Sequence, residues 1–155
     1  MRQFYTVTQK IKDTLIADDF VNTVRLGDPT EVDLKKNEIF PSAHIIPGSV
    51  THNGSTLSMG FDVLVMDIVD VTKDELQDVV DPFHGIDNLQ DVWNTQLQVA
   101  NRLIVEMQRG SLHRDLFQTD TATIAPFKDR FENLLAGWVI SLTVTVPNNE
   151  ICVDG

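Results

Sequence analysis

Histidines, a cysteine and carboxylates are the residues with which this chain would do chemistry, and they are scattered. The histidines His44, His52, His84 and His113 are widely spaced, and none stands in an HExxH pair or beside a cysteine pair, the spacings that bring two ligands onto one zinc ion. His44 falls in a strand-like apolar run, His52 in a turn, and His84 and His113 in loops. Each therefore has an ordinary structural place. The single cysteine, Cys152, cannot close an internal disulfide and has no companion thiols for a metal site, which fits a reducing compartment. It reads as a small apolar residue before it reads as a nucleophile. The sequence contains no GxSxG elbow, CxxC pair, phosphate-binding P-loop or GxGxxG fingerprint. Trp93 and Trp138 have helix and strand core readings ahead of any ligand-stacking role.

The carboxylates are more concentrated. Asp62, Asp67, Asp70, Asp74, Glu75, Asp78, Asp81, Asp87 and Asp91 share their stretch with only Lys73. A calcium loop of the EF-hand type needs oxygen ligands at alternating positions around a fixed glycine, and that order is missing. The ordinary reading is a solvated acidic face, with Asp67, Asp70, Asp74, Glu75, Asp78 and Asp81 as its centre. One rival is a metal-assisted hydrolase that takes carboxylates from Asp67 to Asp81 and a histidine. Another is a monomeric module that offers this face to a basic partner and imitates nucleic acid electrostatically. No residue set here implies a cofactor, a metal or a catalytic group, so the chemistry favours a structural or assembly role over an enzyme.

The whole chain has 23 acidic and 12 basic residues among 155, a net charge of −11 that opposes free association with phosphate backbones. A hydrophobic fraction of 42% with 23% charged residues describes a chain that folds, and its length is that of one domain over residues 1–155. The opening MRQFYTVTQKIKDTLIADD lacks the apolar core and cleavage site of a signal peptide, so export is not expected. The most apolar stretch, around Phe61 to Val71, is interrupted by Asp62, Asp67 and Asp70 and falls short of the roughly 20 residues that span a bilayer. No membrane association follows from it.

Elements must position whatever work these residues do. Phe4, Val7, Ile11 and Leu15 recur at three- and four-residue spacing and predict a helix over 3–17. FVNTVRLGD predicts a short strand stopped by Gly27-Asp28-Pro29, and Glu31 to Pro41 a surface connection anchored by Leu34, Ile39 and Phe40. SAHIIPGSV and STLSMGFDVLVMDIVDV flank His52-Asn53-Gly54, which predicts a hairpin with a two-residue turn. Pro47 marks its first arm as bulged or at a sheet edge. In the second arm Phe61, Val63 and Val65 face one side and Leu64, Met66 and Ile68 the other, so both faces are partly covered. Leu89, Val92, Trp93, Leu97, Ala100, Leu103, Ile104 and Met107 predict a long helix with a buried stripe over 88–109, capped by Gly110. SLHRDLFQTDTATIAPFKDRF is ambiguous, whereas Trp138, Ile140, Leu142, Val144 and Val146 alternate as a final strand. The sum is an α+β domain, a mainly antiparallel sheet covered by an N-terminal helix and a long central helix.

In their order and flavour, FVNTVRLGD, EVDLKKNEIFPSAHII, FDVLVMDIVDV, NLQDVWNTQLQVANRLIVEMQRG and WVISLTVTVPNNEICVD resemble the small neck and tail-completion proteins of tailed bacteriophages, tail terminators in particular. The resemblance spans nearly the whole chain. It implies an α+β subunit that closes with copies of itself into a ring, often a hexamer, and joins the tail tube to the head-proximal neck. It implies no catalytic residues, a place in the virion after assembly in the host cytoplasm, and a channel through which DNA passes without specific binding. Other phage ring, stopper and baseplate proteins share the same size and character. Within this reading the acidic face lines the channel, where it keeps DNA from sticking. The hairpin residues His52, Asn53, Gly54 and Ser55 contribute to subunit contacts, because tips and edge strands offer groups another chain can complete.

Overall fold

The computed structural model describes residues 3–27, 40–69, 89–108, 118–119, 121–130 and 134–147. Helix α1 (Gln3–Ile16) is followed by the strands β1 (Thr23–Leu26), β2 (Ser42–His52) and β3 (Thr56–Ile68). Helix α2 (Leu89–Gln108) precedes β4 (Gln118–Thr119), β5 (Thr123–Arg130) and β6 (Leu134–Pro147). The architecture is α+β, a sheet in the order β1-β2-β3-β6 with β4 and β5 sharing the edge beyond β6. Every pairing is antiparallel except β1 with β2. From Thr119, opposite Val144, to Thr123, opposite Ser141, this edge advances four positions against three of β6, so β5 is offset from β4 by one residue in register. Of the stretch that periodicity left ambiguous, the described residues 118–119 and 123–130 are strand. Pro126 and the alternating charges of its neighbours obscure a strand pattern that an edge position tolerates.

Period-two alternation assigns the sheet's two faces. Ala43 and Ile45 of β2, Leu57 to Val65 at odd positions of β3, and Ile140 to Val146 at even positions of β6 form one buried layer. Val7, Ile11 and Leu15 of α1 and Val99, Ala100, Leu103 and Met107 of α2 close over it. A smaller cluster holds Val69, Val92 and Ala136, with Leu89 and Trp93 packed against it. There Trp138 donates its indole N–H to the Trp93 carbonyl at 2.8 Å, and Trp93 donates to the Phe127 carbonyl at 3.4 Å. Each indole thus buries its rings while satisfying its donor, and the pair ties α2 to β5 and β6. On the opposite face Met66 and Leu135 are buried, with Phe40 and Phe127 against them. The two-sided coverage of β3 follows from its central place, and Ile68 alone of its three second-face apolar residues remains 40% exposed.

Two expectations about α2 and the hairpin require correction. Leu97 belongs to the helical stripe by spacing, yet it is 37% exposed. Gln96 and Val99 are buried in its stead, so the buried face is rotated toward them. Both amide atoms of Gln96, and the Ser42 hydroxyl, are buried without a hydrogen-bond partner among the described residues. The hairpin keeps a two-residue loop, but it is Gly54-Ser55 between the paired Asn53 and Thr56 rather than Asn53-Gly54. Asn53 donates to the Thr56 carbonyl, and Ser55 donates back to the Asn53 carbonyl, each at 2.9 Å. That bond closes a γ-turn on Gly54, whose φ of 74° glycine adopts without a Cβ penalty. The Leu34 and Ile39 anchors and the Gly110 cap lie outside the described residues.

Candidate interaction surface

His52, Asn53, Gly54 and Ser55 come together at the hairpin tip, all exposed. The His52 ring accepts the Gly54 N–H through Nδ1 at 3.2 Å, so this histidine rigidifies the turn. His44 instead sits in β2, buried opposite Leu64. His84, His113 and Cys152 lie outside the described residues, as do Asp70, Asp74, Glu75, Asp78 and Asp81. Asp67, the described member of the proposed acidic face, stands at the end of β3 opposite Ala136 and is partly buried. Burial raises its carboxyl above the ordinary value of 3.8, partly offset by the Ile68 N–H donated to Oδ1 at 2.8 Å. Among the described residues, no three His, Cys, Asp or Glu side chains converge as a metal site would need. No helix among them is long and apolar enough to cross a membrane.

Two depressions deserve a chemical reading. The first, of about 380 Å³, opens beside the β2 bulge and is lined by Gly48, Ser49, Asp62, Thr123, Ser141 and Thr143, among others. Ser141 donates to Asp62 Oδ1 at 2.9 Å, but among the described lining residues no histidine, lysine or cysteine stands to activate the hydroxyl. The second, of about 230 Å³, lies between α1 and β1, where Phe4, Tyr5 and Leu26 make an apolar rim and Lys12 and Arg25 bring positive charge. Phe4 is stacked on Phe61 with centroids 6.0 Å apart, and Phe61 is opposite Pro47 in the ladder. The rim therefore reaches the level of the β2 bulge.

The hairpin's composition is the feature that motif searching overlooks. From 39 to 61 the sequence has no Asp, Glu, Lys or Arg, its longest uncharged run. A second such run, 133–149, falls mainly in β6 and is covered by strands on both sides. The first run ends differently, because residues 47–55 are all exposed and Val50 is 52% exposed. Solvated surfaces normally mix in about 25–35% charged residues, so an exposed uncharged strand in an acidic chain is unusual. A scan for charge-free windows, weighed against the edge position that Pro47 announces, would have found it. Compared with known proteins, the sequence matches no family model and no curated protein sequence.

Proposed function

We propose that the chain is a structural subunit of a tailed-phage virion, a tail terminator or head-to-tail connector, whose copies close into a ring between tail tube and neck. The reading rests on the resemblance of its sequence elements to that class. One observation supports it above the rest: the outer half of β2 and the turn after it, residues 47–55, form an exposed, uncharged strip on a chain of net charge −11. A monomer gains nothing in solubility from such a strip, whereas a subunit that must contact identical acidic neighbours needs a surface where like charges do not meet. In this proposal capping and joining are the mechanism, without a cofactor, and the acidic stretch from Asp67 to Asp81 keeps the channel unattractive to DNA.

Mass in solution and class-averaged electron micrographs test the proposal. A closed ring with a central channel is the expected result. A chain that stays monomeric at the highest concentration reached, with or without tail-tube protein, would overturn it.

A further inference from the structure

β1 covers only the first part of β2. Its four residues pair with Ser42, Ala43, His44 and Ile45, and the next residue, Gly27, donates its N–H to the Ile45 carbonyl at 3.0 Å. Gly27 has a φ of 131°, a conformation that side chains resist, and it ends β1 there. Among the described residues no strand lies beside β2 beyond that point.

Ladder alternation fixes which backbone groups face this open lane. Asn53 and Thr56 are a hydrogen-bonded pair at the turn. Antiparallel pairs alternate, so Thr51 with Ser58 is bonded and Val50 with Met59 is not. The N–H and C=O of Val50 therefore point outward, away from β3. Pro47, which has no N–H to donate, stands at the mouth of the lane, where its missing donor costs the β2–β3 ladder nothing. On the helix-covered side the lane is flanked by Phe4, Tyr5 and Leu26, the last two 68% and 56% exposed.

We infer that this lane is completed by an extended segment of a second copy of the chain, which adds to the outer flank of β2 in line with β1 and covers the Phe4–Tyr5–Leu26 rim. The inference deepens the ring reading and rests on it for the identity of the partner. Charge selects the occupant. Two copies of net charge −11 repel over most of their surfaces, but the lane is built from the uncharged 39–61 run, where no like charges meet. The opposite sheet edge is guarded in the usual way, with Pro126 within β5 and the exposed Lys128 near its end. One receptive edge and one guarded edge per copy favour a closed assembly over sheet-on-sheet growth into fibres.

Val50→Lys places a charge in the lane, and Val50→Pro removes the outward N–H. Val105→Lys, on the exposed face of α2, serves as the control. Each variant is checked for native circular dichroism and then sized alongside the wild type, and the Val50 amide is followed by hydrogen exchange. The expected result is an assembled wild type and control with a protected Val50 amide, and folded monomers for both Val50 variants. If Val50→Pro fails to fold, Val50→Lys decides alone. Rings that persist in the folded Val50 variants overturn the inference and leave the ring reading standing. A wild type that forms only a closed pair, dispersed by Val50→Lys, upholds the inference and overturns the ring. A monomeric wild type overturns both.

Discussion

Replacing Leu103 and Leu97 separately with alanine measures the rotation of α2 that separates sequence spacing from structure. Leu103 is 1% exposed within the main core, and the truncation removes three carbons, about 2.4 kcal/mol at roughly 0.8 per buried methylene. A residual void of about 50 Å³ would add about 1.2 kcal/mol at roughly 24 cal/mol per Å³, so the expected cost is about 3.5 kcal/mol. Leu97, being partly solvated, loses about 1.5 kcal/mol at most from the same deletion, because water fills the space and no cavity term applies. Urea denaturation at matched slopes reads the difference directly. With a slope of about 2 kcal/mol per molar, Leu103→Ala should lower the midpoint by about 1.8 M and Leu97→Ala by less than about 0.8 M. Equal losses would refute the reasoning, since they would mean that Leu97 packs as deeply as its helical spacing implies. A loss for Leu103→Ala below about 0.5 kcal/mol would equally refute the burial of α2 against the sheet.

Asp67→Asn is expected to stabilise the fold at neutral pH and to leave it unchanged in strong acid. The raised carboxyl keeps its proton in the native state after the unfolded chain has lost it, so stability falls as pH rises from below 3.8 through the raised value and the loss then persists. Urea midpoints of wild type and variant from about pH 3 to 7 check this, and a pH-independent difference or a weaker variant at neutral pH would contradict it. Gln96→Met should raise stability by about 1–3 kcal/mol, since it keeps length and helix propensity while removing two buried polar atoms that have no partners among the described residues. A lower denaturation midpoint for that variant would mean the amide is hydrogen-bonded in solution.

Local rules made much of this fold legible. The spacing of Val7, Ile11 and Leu15 identified α1, the alternation from Trp138 to Val146 identified β6, and Pro47 marked its arm as bulged or at an edge, with the register shift falling there. What they missed depends on tertiary position. Leu97 satisfies the helical period as well as Val99 does, and only the direction from which β3 and β6 approach decides between them. Gln96 is invisible to a hydrophobic pattern because the pattern excludes it by type. The edge lane of β4 and β5 escaped because an edge strand is permitted the proline and the charges that argue against a strand elsewhere. The tip residues of the hairpin were found by turn chemistry, but their γ-turn depends on hydrogen bonds that an Asn-Gly pair alone does not fix.

The contrast between the acidic stretch and the uncharged arm explains how such a chain could associate with itself. At physiological ionic strength charges are screened over about 8 Å, so repulsion between two acidic copies is concentrated where their surfaces come closest. A contact made through side-chain ion pairs would have to recruit cations that the composition supplies sparingly, 12 against 23 acids. A contact made through the backbone needs none, since strand addition draws on N–H and C=O groups that every non-proline residue carries. Its strength is set by peptide hydrogen bonds and by the apolar rim of Phe4, Tyr5 and Leu26, and neither is weakened by the salt that screens exposed ion pairs. A joint of that kind would draw on no carboxylate, so the acidic composition of the chain would not have to be reversed at the contact.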